Sequence, residues 1–114
     1  MSETAAATAT SVDVEALRAR IIETLRGIYD PEIPVNIYDL GLIYGLDISA
    51  QGDVEIRMTL TAPGCPVAQT FPGMVEATVM AVDGVRRAKV ELTWDPPWTR
   101  EMMSEVAQIQ LGLI

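Results

Sequence analysis

The sequence predicts an α+β fold, a compact α-β-β-α-β-α domain with a small three-stranded mixed sheet and helices packed mainly on one face. Three observations carry that expectation. Apolar residues recur at three- and four-residue steps from Val14 to Ile28, the spacing of a helix with one buried face. They alternate with polar residues over 54–61 and again over 88–94, the spacing of strands. A helical stripe separates those two strands, and a strand–helix–strand unit of that kind joins parallel neighbours through a crossover. At 114 residues the chain can bury one modest core, so residues 12–114 are expected to form a single domain.

The elements follow in order. Residues 1–11 are mostly alanine, threonine and serine without periodicity and read as a disordered tail. A first helix starts near Ser11 or Asp13, both good N-caps, and Gly27 is its plausible stop. Its apolar stripe is Val14, Leu17, Ile21, Leu25 and Ile28. From Tyr29 to Gly41 the chain is irregular, because Pro31 and Pro34 forbid a continuous helix. So long a connection in so small a domain points to function. Leu42–Ser49 reads as a strand, residues 51–53 as a turn and Val54–Thr61 as the second strand of a hairpin. In that strand Val54, Ile56, Met58 and Leu60 are assigned to the core, and Glu55, Arg57, Thr59 and Thr61 to the other face. Residues 62–66 break the strand. A second helix is expected over Pro66–Val82, kinked or delayed by Pro72 and Gly73. A third strand spans Val85–Trp94 and ends at Asp95-Pro96-Pro97. Thr99 then caps a last helix running to about Gln110, with Trp98 and Met103 as a hydrophobic staple; Trp94 and Trp98 read as core and staple residues. One sheet face stays half open in this arrangement, which predicts self-association as a homodimer.

Charge and composition restrict the partners. Sixteen acidic residues oppose eight basic ones, a net charge of −8. That balance argues against nucleic acid and against anionic membranes. No apolar run approaches the ~20 residues that span a bilayer, and the N-terminus has neither the basic start nor the apolar stretch of a secretory signal. A cytoplasmic protein is expected. Between Arg26 and Arg57 no basic residue occurs, whereas Asp30, Glu32, Asp39, Asp47 and Asp53 do. Such a stretch suits a cation or a basic partner surface, or is a solvated face that aids solubility. Histidine is absent, so Cys–His and Ser–His–Asp machinery and His-containing zinc sites cannot be assembled within the chain.

The single cysteine, Cys65, falls at a strand-to-helix junction directly before Pro66. Proline suits the first helical position, which would make Cys65 the N-cap. The first-turn N–H groups and the positive end of the dipole would then favour its thiolate. The competing reading is a buried structural thiol, since free cysteine is among the most buried residues. Asp39, Asp30 and Glu32 offer oxygen ligands or polar orientation, or else ordinary turn chemistry. Thr59 and Thr61, placed just before Cys65, offer hydroxyls to a thiolate, or simply reflect the strand preference of threonine.

Three blocks, DPEIPVNIYDLGLIY from Asp30 to Tyr44, MTLTAPGCP from Met58 to Pro66 and VELTWDPPWTREMM from Val90 to Met103, resemble the SufT/PaaD-like family of iron–sulfur cluster assembly domains. The resemblance runs from about Val14 to Ile114. It implies an assembly-domain-like fold and work with the SUF scaffold and client iron–sulfur proteins. The family's cluster of residues matches Asp30, Glu32, Asp39, Thr59, Thr61 and Cys65. PaaD-like members, tied to a phenylacetyl-CoA oxygenase complex, usually carry extra C-terminal cysteines that this chain lacks, which favours the SufT-like branch. Two roles follow from the resemblance. One is a carrier that transiently holds an iron–sulfur cluster on Cys65, with Asp39 as the next metal ligand. The other is a metal-free adaptor that docks the assembly machinery to its clients. An enzyme with a nucleophilic cysteine is a weaker third, so a non-enzymatic role is expected.

Overall fold

A computed structural model describes residues 13–30, 33–61 and 70–112. The expected tail, the start of the expected second helix and the two predicted site residues Glu32 and Cys65 lie outside these described residues. The described elements are α1 (Val14–Leu25), β1 (Ile43–Ile48), β2 (Asp53–Met58), α2 (Phe71–Met80), β3 (Arg87–Leu92), a 3-10 turn (Arg100–Met102) and α3 (Glu105–Gln110). The order is the one the sequence predicts, and the α+β architecture with a three-stranded mixed sheet is confirmed. β2 lies at the centre, antiparallel to β1 and parallel to β3. No described helix is long and apolar enough to cross a membrane.

α1 forms where its stripe and its cap agree. The Asp13 side chain accepts from the Ala16 N–H, satisfying one of the free donors of the first turn. Leu17, Ile21 and Leu25 are fully buried. They meet Val54, Ile56 and Met58 of β2 and Phe71, Val75 and Val79 of α2 in one core cluster, which Val35, Ile37, Leu40 and Leu42 of the long loop join. The opposite face of the sheet carries charge. Asp47, Glu55 and Lys89 stand in one cross-strand row, and Arg57 and Glu91 in the next. This face is therefore compatible with solvent, which removes the argument for self-association drawn from an open sheet.

β1 carries a bulge. Its register against β2 shifts between Ile43 and Gly45, which sets Ile43 opposite the core residue Met58 while Gly45 faces Arg57. The extra residue turns the strand's apolar start toward the core. At the hairpin, Gly52 has φ +91, and a Cβ there would run into the Gly84 carbonyl oxygen. Only glycine lets the hairpin turn press against the α2–β3 connection.

Both outer edges of the sheet are occupied by charged side chains. The Val90 N–H of β3 donates to the Glu76 carboxylate at 2.9 Å, and the Leu46 carbonyl of β1 accepts from Arg18 at 2.9 Å. Edge groups satisfied in this way are poor templates for another strand.

Three sequence expectations are corrected. α2 begins at Phe71, with Thr70 at its N-cap and Pro72 in its first turn. The cap expected at Cys65, before Pro66, lies outside the described residues. The last helix is two pieces. The 3-10 turn follows Thr99, Met103 is extended, and Ser104 caps α3 by accepting from the Ala107 N–H at 3.1 Å. Trp94 is exposed at 38% rather than core, since β3 ends at Leu92. Trp98 does pack against the core, and its indole N–H donates to the Leu40 carbonyl at 2.6 Å.

Candidate functional site at one end of the sheet

Of the predicted site residues, the described ones, Asp30, Asp39, Thr59 and Thr61, come to a single end of the sheet from two directions. The long loop, residues 28–42, is anchored at its base by an isolated bridge between Tyr29 and Asn36 and by the Ile37 N–H on the Ile28 carbonyl at 2.8 Å. It feeds directly into β1. β2 runs antiparallel to β1, so it finishes where the loop arrives. There the Thr59 N–H donates to the Leu42 carbonyl at 2.9 Å, and the Thr93 N–H, just past β3, donates to the Met58 carbonyl at 2.8 Å. The chain leaves this end at Thr61 and returns to described structure at Thr70. This is the carboxyl end of the parallel pair β2–β3, the end at which open α/β sheets hold their ligands.

Within the loop the acidic residues are engaged. Asp30 is 7% exposed, and its Oδ2 accepts from the Ile33 N–H at 2.8 Å. Asn36 and Asp39 form a reciprocal pair. The Asn36 amide donates to Asp39 Oδ2 at 2.8 Å, and the Asp39 N–H donates to Asn36 Oδ1 at 2.8 Å. The Arg26 guanidinium approaches the same Oδ2 at 3.9 Å while lying over the Tyr38 ring, 5.0 Å from its centroid. The Asp39 carbonyl accepts from the Ser104 N–H at 2.8 Å, tying α3 to the loop. Asp39 is thus the hub that joins the loop, the end of α1 and the start of α3.

Thr59 departs from its expected place. It is fully buried, and its hydroxyl reaches the Leu60 carbonyl at only 3.5 Å. The strand alternation ends at Met58, so Met58, Thr59 and Leu60 are all buried in succession, and Thr59 does not share a solvent face with Arg57. Thr61 is half-buried. Among the described residues, no three cysteine or acidic side chains gather closely enough to hold a metal ion. Composition and periodicity do not mark Asn36, Arg26 or Ser104 as site residues. The Asn-x-x-Asp spacing of 36 and 39 was the available signal, since it lets each side chain bond the other's turn.

The comparisons with known proteins decide the family. A family model described as "Iron-sulfur cluster assembly protein" matches residues 18–92. This chain belongs to that family, in its SufT-like group. An iron–sulfur protein maturation auxiliary factor of Porphyromonas gingivalis is 51% identical over 82% of this chain and 90% of its own length. YitW of Bacillus subtilis, of the same description, is 40% identical over 87% of this chain and 97% of its own. The Staphylococcus aureus protein named SufT is 35% identical over 75% and 98%. Among solved structures, a domain of unknown function from Bacillus anthracis superposes with a TM-score of 0.79 at 35% identity, covering 88% of this chain and 95% of that one. A conserved hypothetical protein from Thermotoga maritima does so at 0.72 and 33%, covering 90% and 97%. The family match spans the long loop, the sheet and the whole β2–β3 crossover, the parts that build this end of the molecule.

Proposed function

We propose that this SufT-like chain is a non-catalytic, cytoplasmic accessory factor in iron–sulfur cluster maturation, with Cys65 as the residue through which it meets its cargo. The observation that carries the reading is the likeness to maturation auxiliary factors over nearly their full lengths. The reading is supported by the end of β2, the strand that precedes Cys65 in the sequence, lying beside the braced loop. The cluster is cargo in this scheme. One thiolate cannot complete a site that usually takes four, so the remaining ligands come from a second copy, from a client or scaffold protein of the SUF machinery, or from small thiols. Incomplete ligation makes the hold labile, as transfer requires.

A second reading, the metal-free adaptor, is favoured by a specific observation. Asp30, Asp39 and Thr59 are all engaged within the fold. For Asp39 to ligate iron through Oδ2, it would give up its bond from Asn36 and its approach to Arg26. The acidic residues then serve the shape of the loop, and the loop serves docking.

Anaerobic reconstitution with iron and sulfide separates the two. Visible absorption in the wild type that disappears in Cys65→Ser supports the carrier. No uptake by wild type, together with retained binding to SUF proteins, supports the adaptor. Cells that lack the chain yet mature every iron–sulfur enzyme normally would remove both.

A further inference from the structure

Of the described methionines, Met58 and Met103 are buried, Met74 and Met80 are exposed on α2, and Met102 is half-buried in the 3-10 turn. Met102 differs in what its sulfur touches. The Tyr44 hydroxyl of β1 donates to the Pro96 carbonyl at 2.8 Å and lies 3.4 Å from the Met102 sulfur. One phenolic proton is thus placed between an oxygen and a sulfur of the chain that follows β3. Partial burial raises the Tyr44 pKa, so the proton stays on the phenol at neutral pH. Among the described residues this is the hydrogen bond that ties Pro96 to β1. The Thr78 hydroxyl also lies near a methionine sulfur, that of Met74 at 3.8 Å, but it bonds the Met74 carbonyl within the same helix and joins no second element.

The Met102 side chain can be reached, and its backbone cannot retreat. With Ile43, Tyr44 and Pro96 it lines an open cleft of about 530 Å³, wide enough for a small oxidant. The Met102 N–H donates to the Thr99 carbonyl at 3.0 Å. Gly41, at φ +82, lies so close that a Cβ there would collide with the Met102 carbonyl. A thioether is a weak acceptor, so the tyrosine proton belongs to Pro96. Oxidation to the sulfoxide makes the same side chain polar and puts a strong acceptor oxygen on the sulfur. Because the turn is held in place, that oxygen competes with the Pro96 carbonyl for the one Tyr44 proton.

We propose that Met102 is an oxidation site through which peroxide unfastens the chain after β3 from β1. The Met102 sulfur gives a lone pair to one oxygen of hydrogen peroxide. A sulfur–oxygen bond forms and the oxygen–oxygen bond breaks. The departing hydroxide takes the proton of the transferred oxygen and leaves as water. The sulfur is oxidised by two electrons, and the peroxide is reduced. The sulfoxide oxygen then accepts from the Tyr44 hydroxyl, and the Pro96 carbonyl loses its donor. Reduction by a methionine sulfoxide reductase restores the clasp. The change falls beside the braced loop, because Met102 packs on Gly41 and lies two residues before Ser104, whose N–H holds the Asp39 carbonyl. The proposal goes beyond the maturation reading and requires no metal at Cys65.

The test treats the full chain, without iron, with hydrogen peroxide and locates the added oxygen by peptide mass spectrometry. Met74→Leu and Met80→Leu are introduced together, so that the exposed thioethers of α2 do not contribute. Conversion of Met102 to the sulfoxide is expected, with shifts in the NMR signals of the Tyr44 ring and the Asp95 and Trp98 amides. Trypsin cleavage after Arg100 should become about threefold faster as the segment opens. Methionine sulfoxide reductase should reverse both changes. In Tyr44→Phe, Met102 still gains oxygen, but cleavage, already fast, does not accelerate further. Met102→Leu, a swap of similar volume, should show neither change. Circular dichroism verifies that the variants fold. Oxidation that spares Met102 overturns the proposal. So does a Met102 sulfoxide that leaves the Tyr44 signals and the cleavage rate unchanged, or an equal acceleration in Tyr44→Phe. Because the assay contains no iron or sulfide, its failure leaves the role in cluster maturation untouched.

Discussion

Asn36 and Asp39 exchange side-chain hydrogen bonds in the long loop, adding to its backbone bonds such as the Leu40 N–H on the Asn36 carbonyl. Asn36 is 8% exposed. Asn36→Ala strands the Asp39 N–H and removes a donor from its carboxylate, at a cost of about 1–3 kcal/mol. A lower urea midpoint with an unchanged slope is the expected result. Thr59 gives the opposite expectation. Among the described residues its buried hydroxyl makes one long bond, so Thr59→Val should lose about 1 kcal/mol or less and leave client maturation intact, measured as enzyme activity in cells. A variant that folds but fails to support maturation would restore a ligand role for Thr59. The acidity of the loop is legible in the sequence. The burial of Thr59 is not, because an alternating pattern gives no sign of where the strand stops.

At the scale of elements, the sheet edges and the helix caps separate what periodicity reads from what it cannot. The Glu76 carboxylate covers the Val90 N–H, and Glu76→Ala leaves that edge donor bare. Concentration-dependent association of Glu76→Ala, absent in wild type, is expected in sedimentation velocity; a variant as monomeric as wild type would show that the edge is guarded by something else. The Glu76→Gln amide oxygen can still accept and should suppress the effect. The C-terminal break has a similar lesson. Thr99 and Ser104 are both good caps, and the apolar stripe alone does not reveal that each starts its own piece. Ser104→Ala should cost about 1 kcal/mol through the lost bond to the Ala107 N–H, read as a small drop in melting temperature.

Across the whole molecule, the hairpin is clasped to the start of β3 by Arg86 and Asp53. Their two hydrogen bonds are 2.9 Å and 2.7 Å long. The hydrogen bond from Arg86 holds the Asp53 carboxyl below its ordinary 3.8. A lowered folded-state value means that the contribution is complete above that ordinary value and fades as pH falls through the lowered one. Wild type should therefore lose more stability than Arg86→Gln between about pH 5 and pH 2, in urea titrations at matched ionic strength. The two groups are solvent-exposed, so the difference will be small and sensitive to salt.

The sequence by itself determined the element order, the mixed sheet, a capped first helix starting near Ser11 or Asp13, and the family. These rest on local spacing and on contiguous motifs, which need no knowledge of what lies across the fold. Tertiary structure alone decided that Thr59 is buried, that Asp39 braces α1 and α3, and that both sheet edges are guarded. Each of those depends on residues distant in the chain meeting in space, and burial and pairing are properties of that meeting.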